Sequence, residues 1–462
     1  MSESAPTAPV EEAAPSMSPP TGGSDCDIQV VLDGTDVSDV AIEGSVTRRL
    51  NRPALATIKI PMDSAIGCAG SKLKIYFDST LFFHGMVMDC ETDSGEDMGY
   101  TVYNASDPME LWQWRVVRAD DGDFSKPAGD GGVDDLFATY ITGPEIMNAV
   151  MMNTEGDSTA QGNAGLTPPG TAEGPTFLTF GTVETAGCDL SGAPTDWPMT
   201  ISQLFSLLTS TGCVDGVITP TDPGGGIMGT LDWFNGDYGT DLSGSVTLSY
   251  GMGDYSIRRV RWNEDMSNIV NKLWYYGGPR VGTAADPAGD QHWCWNITGD
   301  DPEFDPAGAA GLVPPGGRNS PPASSTDNPL GVRRIDSQVS AGCTGEGYGV
   351  RMEVRIYDSL SDICLGGSSF DPERWLYRRL WQEESWLRAV PRELIHVTPV
   401  RGYPLGTFDI GDIITVEAVS SVRGGFSGAQ RIYQYTISWD ADGPCELSEL
   451  QTSSDVGIDT GI

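Results

Sequence analysis

Side chains able to do acid–base, nucleophilic or metal chemistry are plentiful in one class and scarce in the others. The 462 residues hold 65 Asp and Glu, nine Cys and three His. His84, His292 and His396 are isolated, so no HExxH or HxxxH pair exists to hold a metal. A Ser-His-Asp or Cys-His site would have to assemble in space. Gly425-Phe426-Ser427-Gly428-Ala429 breaks the GxSxG pattern of a nucleophile elbow. His84 and His396 fall within apolar strands and read as structural.

The carboxylates offer too many pairs to single out the two that glycoside hydrolysis needs. Glu383-Glu384 reads as a solvated helix face. Asp120-Asp121-Gly122-Asp123 resembles a calcium loop only at its start. An EF-hand counted from Asp121 puts Lys126 at the required Gly and Gly132 at the required Glu. Gly224-Gly225-Gly226 lacks the Lys-Ser/Thr of a P-loop, and Gly251-Met252-Gly253 lacks the third glycine of a dinucleotide site, so both read as turns. Arg374, Arg378, Arg379 and Arg388 stand beside Glu373, Glu383 and Glu384. They read as a salt-bridged helix face, or as one that meets an acidic partner, including a neighbouring copy's acidic segment. The residues therefore point to no catalytic, cofactor-binding or metal site, no cofactor and no enzyme.

The cysteines, Cys26, Cys68, Cys90, Cys188, Cys213, Cys294, Cys343, Cys364 and Cys445, are odd in number, widely spaced and without a CxxC. They read as buried reduced thiols of a protein made in a cytosol, with a disulfide framework as the lesser alternative. With 27 Lys and Arg the formal net charge is -38. That charge excludes a sequence-independent grip on nucleic acid and attraction to an anionic membrane face. It is uneven: between Pro127 and Ile257 there are 16 carboxylates and no Lys or Arg. The Asp excess and Lys scarcity fit adaptation to a high-salt host.

These side chains must be positioned by elements that are mainly strands. Residues 1–25 are a flexible arm rich in Pro, Ser, Ala and Glu. Residues 26–118 form a first β-barrel-like domain. Its strands lie at Ile28–Leu32, Val40–Arg49, Leu55–Ile60, Leu73–Phe77, Leu81–Met88 and Tyr100–Asn104, and a helical turn capped by Asp107 follows. Residues 119–256 form an acidic insertion with one credible helix, Met199–Leu208, whose Ile201, Leu204, Phe205 and Leu208 share a face. Residues 257–450 form a second barrel-like domain. It has strands at Ile257–Trp262, Lys272–Tyr276 and Gly349–Tyr357, a loop insertion at 281–332, and a helix at about 371–389. Closing strands lie within 394–440, and residues 451–462 are a frayed tail. The fold class is mainly β with a few helices (α+β).

The order of these pieces resembles a known family. DCDIQVVLDGTDVSDVAIEGSVTRRLNRPALATIKIP, then LKIYFDSTLFFHGMVMDCETD with its aromatic and Gly85-Met86-Val87 exit, resembles the opening domain of tailed-phage (siphovirus-like) hub proteins. MTISQLFSLLTSTG and SVTLSYGMGDYSIRRVRWNEDMSNIVNKLWYYGG are similar to that family's link into its second barrel. FDIGDIITVEAV and AQRIYQYTISWDADGPCELSEL are similar to the closing strands of minor tail proteins. The resemblance covers residues 26–118 and 198–450. It implies a structural virion protein at the tail tip, a baseplate hub built as a homotrimer with six-fold pseudosymmetry. The implied partners are the distal tail protein and tail tube, the tape measure protein, and receptor-binding or tip proteins. Viral DNA would pass during genome ejection without specific binding, and no stable membrane association is implied. A distal tail ring or a receptor-binding adhesin is the alternative within the tail tip; a wall hydrolase lies further off, since the chain ends soon after the closing strands.

Overall fold

The computed structural model describes residues 27–94, 99–114, 142–153, 177–185, 200–209, 214–224, 226–251, 256–265, 272–279, 292–297, 333–334, 352–357, 392–418, 425–440 and 445–453. Alternating apolar and polar residues build β1 (Ile28–Leu32), β2 (Thr35–Asp36), β3 (Glu43–Arg49), β4 (Leu55–Pro61), β5 (Lys72–Phe77), β6 (Thr80–Asp93) and β7 (Tyr100–Ser106). In β5, Leu73, Ile75 and Phe77 are buried while Lys72, Lys74 and Tyr76 are not, the period of two that a one-sided strand requires. Asp78 and Ser79 join β5 to β6 with φ of 48° and 65°, the left-handed geometry of a two-residue hairpin.

The middle of the chain supplies helix α1 (Gly143–Asn153), β8 (Leu178–Val183), helix α2 (Ile201–Thr209), β9 (Asp215–Pro220), β10 (Gly229–Phe234) and β11 (Thr247–Tyr250). The remainder is β12 (Ile257–Asp265), β13 (Lys272–Pro279), β14 (His292–Ile297), β15 (Arg333–Arg334), β16 (Met352–Tyr357), β17 (Arg392–Pro399), β18 (Ile413–Ala418), β19 (Phe426–Asp440) and β20 (Glu446–Ser453). Strands β8, β10 and β9 form one small sheet, and β15, β14, β13 and β16 another.

All other strands join a 13-stranded sheet in the order β12-β17-β20-β19-β3-β4-β7-β6-β5-β1-β2, with β18 and β11 branching from β19. The 15-residue β19 explains the branch. Residues Phe426–Arg431 pair with β18, and Gln434–Asp440 pair with β3, end to end along one edge. The other edge pairs with β20. Strands from the two ends of the sequence therefore share one sheet. Among the described residues this path is open, with no pairing that closes it into a barrel.

Two cores result. The larger packs the inward faces of the big sheet, with Phe77, Phe82, Phe83, Tyr435 and Trp439 among its aromatics. The smaller gathers Met109, Leu111 and Trp112 of the 3-10 turn Pro108–Trp114 with α1, α2 and β8–β10. There Trp112 stacks on Trp233 at 5.8 Å, and Phe205 meets both edge-on at 5.2 and 5.5 Å.

Several sequence readings need correction. The expected single helix of the acidic segment is α2, with Ile201, Leu204, Phe205 and Leu208 all buried, but α1 accompanies it. Its apolar face is Ile146, Met147, Val150 and Met151. Both helices begin on a capping box, Thr142 with Glu145 and Thr200 with Gln203, each pair exchanging side-chain and backbone bonds. Strand β13 runs through Gly277-Gly278 instead of ending there. The segment from Gln451, read as frayed, begins with three residues of β20, of which Thr452 and Ser453 are buried. The helix expected at 371–389 lies outside the described residues. No described helix is long and apolar enough to cross a membrane.

Asp107 joins the two cores and is expected to give stability a pH slope. Its Oδ1 accepts the Met109 N–H at 2.9 Å, as an N-cap should, and its Oδ2 accepts the Ala54 N–H at 2.8 Å. Burial nevertheless pushes its pKa up from 3.8 to about 7, against those two bonds and nearby Arg49. The folded state therefore holds this proton more tightly than the unfolded chain. The resulting stabilisation is full below pH 4 and is lost as pH rises to 7. Asp107→Asn stays neutral, so its stability relative to wild type should rise by about 2–4 kcal/mol across that window. Urea unfolding of both proteins between pH 4 and 8 checks this; a parallel pH dependence would refute it.

Candidate functional site: a buried ionic joint of three chain segments

The strongest concentration of polar chemistry among the described residues is inside the fold. Arg48 occupies an inward register position of β3, between buried Val46 and Leu50, and is 4% exposed. Its Nη1 donates to both carboxylate oxygens of Asp409, at 3.1 and 2.9 Å. The Tyr435 hydroxyl on β19 donates to Asp409 Oδ1 at 2.9 Å, and the Phe82 ring lies 5.6 Å from the guanidinium carbon. Burial opposes the Arg48 charge, but the Asp409 carboxylate outweighs it and holds the pKa above the ordinary arginine range. Burial, then the same carboxylate, pushes the Tyr435 hydroxyl well up.

Asp409 belongs to the turn Phe408-Asp409-Ile410-Gly411-Asp412, which carries the rest of the joint. The Asp412 carboxylate accepts the N–H groups of Asp409 and Thr240, both at 2.7 Å, although burial raises its pKa. The Gly411 carbonyl accepts Arg431 Nε at 3.2 Å. Arg431 then reaches across to the middle segment. Its Nη1 donates to the Gly236 carbonyl at 3.1 Å, and its Nη2 to the Tyr238 carbonyl and Asp215 Oδ2, both at 2.7 Å. Asp215 in turn accepts Asn51 Nδ2 at 2.6 Å, and Asn51 Oδ1 accepts the Gly216 N–H at 2.9 Å. Asn51 sits at φ 60°, a left-handed position that asparagine tolerates.

Residues 48–51, 215–216 with 236–240, and 409–412 with 431–435 are thus tied by charge-assisted bonds, the stronger kind. The backbones also pass very close. Gly239 (φ 113°) and Gly411 (φ 84°) face each other so tightly that a Cβ on either would overlap the opposite main chain. Arg48, Asp215, Asp409 and Arg431 are all 9% exposed or less, and each ion is met by an opposite charge. Such a site has no open position for a substrate. What it does is join three segments distant in sequence through one buried hydrogen-bonded network.

The residues singled out by sequence do not converge. His84 is buried in β6, its Nδ1 2.7 Å from the Thr221 carbonyl, and burial lowers its pKa. The Lys74–Asp222 ion pair stands beside it. His396 lies on β17, 3.4 Å from Glu449, and His292 opens β14. Gly224 and Gly226 form a turn with φ of 91° and 97°, and Gly251 has φ 78°. Asp120–Asp123, Glu383-Glu384 and the arginines from Arg374 to Arg388 lie outside the described residues. Of the three cysteines whose side chains are described, only Cys445 is buried; Cys90 is half-buried and Cys68 exposed, which corrects the expectation of buried thiols throughout. Sequence reasoning missed the joint. Its signals were Arg48 and Arg431 at inward positions of otherwise apolar faces.

No protein-family model matches the sequence, and a search of curated proteins finds no match. Solved structures do match. The 43 kDa tail protein of prophage MuSo2 from Shewanella oneidensis superposes with a TM-score of 0.52 at 10% identity, over 94% of this chain and 100% of its own. A tail protein from Neisseria meningitidis (TM-score 0.47, 11% identity, 93% and 97% covered) falls below a TM-score of 0.5. So does prophage tail protein gp18 from Listeria monocytogenes (0.45, 10%, 94% and 97%), and neither adds weight. By fold, then, the chain is similar to a phage tail protein.

Proposed function

We propose that the chain is a structural virion protein, the hub at the tail tip of a tailed phage, acting as a homotrimer and not as an enzyme. One observation carries the reading: the fold similarity extends over 94% of this chain and the whole of the Shewanella tail protein. The buried joint supports it, because a hub that ends a tail tube must bear load as one rigid piece. In this role it contacts the distal tail protein and tube on one side and tip or receptor-binding proteins on the other, with the tape measure protein and then DNA in the lumen. The acidic composition suits that lumen, since like charges repel the passing DNA.

Native mass spectrometry of the purified protein should give a trimer, and antibody labelling of intact particles should mark the tail tip. A hexamer would point instead to the distal ring. A protein that stays monomeric at high concentration and is missing from particles would overturn the proposal.

A further inference from the structure

Cys68 and Cys90 are brought together by a turn that the sheet fixes at several points. Strand β6 bulges at Met88, and beyond the bulge Cys90 stands directly opposite Tyr103 on β7, on the same face. The Tyr103 hydroxyl donates to the Ile66 carbonyl at 2.9 Å, which lays the 66–68 stretch over that face. The next residues close on themselves: the Ser71 N–H donates to the Cys68 carbonyl at 3.0 Å, and the Cys68 N–H to Ser71 Oγ at 3.2 Å. Two ladder bonds of 2.8 Å, Gly70 N–H to the Val87 carbonyl and Val87 N–H to the Ser71 carbonyl, then dock the turn on β6. The two thiols hydrogen-bond each other. Cys68 is open to solvent, and Cys90 packs at the edge of the large core.

We propose that Cys68 and Cys90 are a redox pair that closes to a disulfide by exchange with a small-molecule disulfide, stapling the β4–β5 turn to β6. Cys68 attacks first. It is exposed, and the hydrogen bond from Cys90 holds its thiol below the ordinary range, while that bond raises Cys90. The Cys68 thiolate breaks the S–S bond of the small molecule, forming a mixed disulfide and releasing one thiolate. Cys90 then loses its proton and attacks Cys68 Sγ, releasing the second. Two protein thiols are oxidised to one disulfide, the small-molecule disulfide is reduced to two thiols, and the protons of Cys68 and Cys90 end on the released thiolates. A protein made under reducing conditions would acquire this staple on release to an oxidising medium. The pair stands on local geometry and not on the tail reading.

The test uses the full-length protein with oxidised glutathione, followed by alkylation and peptide mapping. Wild type should yield the Cys68–Cys90 linked peptide and unfold about 3–5 °C higher than when reduced. Cys90→Ser should stop with glutathione on Cys68, and Cys68→Ser should leave Cys90 unmodified. Wild-type protein that itself stops at glutathionylated Cys68, or in which both thiols are recovered alkylated, would overturn the proposal.

Discussion

Arg431→Ala is expected to destabilise the protein by about 3–5 kcal/mol, the usual cost of removing one partner of a buried pair. The loss is not only the ion pair with Asp215. Three carbonyls, on Gly236, Tyr238 and Gly411, would lose their donor at the point where the middle segment meets the C-terminal strands. Asp215 would keep Asn51 and the Tyr238 N–H but lie buried with its charge unmatched. Arg431→Lys keeps the charge and loses the planar fork, so it should cost about 1–3 kcal/mol. Trp112 and Trp233 in the smaller core report on the middle segment, so urea unfolding followed by tryptophan fluorescence is the measurement. Limited proteolysis of Arg431→Ala should cut within residues 214–240 first. A change under about 1 kcal/mol would mean that the joint does not hold the segments together.

Arg48→Ala should cost a similar amount, about 3–5 kcal/mol, by leaving Asp409 charged and buried beneath Tyr435. Its companion experiment separates stability from rigidity. In Arg48→Met with Asp409→Leu and Tyr435→Phe, the ions and the orphaned hydroxyl are replaced by apolar groups of similar size. Such replacements are often neutral or stabilising, so most of the lost stability should return. If the joint exists to fix one arrangement of the turn 408–412, the triple variant should be stable yet exchange the Gly411 and Asp412 amide protons faster. Unchanged exchange would show that packing alone sets that geometry.

The strands were legible because a half-buried sheet writes its period into the sequence. Tyr433, Tyr435, Ile437 and Trp439 alternate with the polar Gln434, Thr436 and Ser438 in sequence, and they are buried while those three are half-buried. Ile201, Leu204, Phe205 and Leu208 gave α2 by the same logic at helical spacing. Helix α1 was legible but overlooked: Thr142 with Glu145 forms a capping box, Pro144 suits a first turn, and Ile146, Met147, Val150 and Met151 fall at helical spacing. The end of β20 was hidden because Gln451, Thr452 and Ser453 are polar, and their pairing partners lie on β17 and β19, nearly sixty and twenty residues earlier. The joint was illegible as a unit for the same reason. Asp215, Asp409 and Arg48 are ordinary surface residue types, and only tertiary contact gives them a common role.

The two-fold use of β19 also sets the order of events during synthesis. Thr47 on β3 and Thr436 on β19 share a hydrogen bond of 2.9 Å across a sequence gap of 389 residues. At ~5–20 residues per second, a ribosome needs roughly 20–80 s to make the partner of a strand it has already released. Throughout that interval the edge of β3 offers unpaired N–H and C=O groups to any neighbouring strand, including those of sister chains on the same message. Nascent chains should therefore depend on a chaperone that shields this edge. A chain truncated before residue 426 never acquires the cover, so its β3 edge stays open to pairing with other strands.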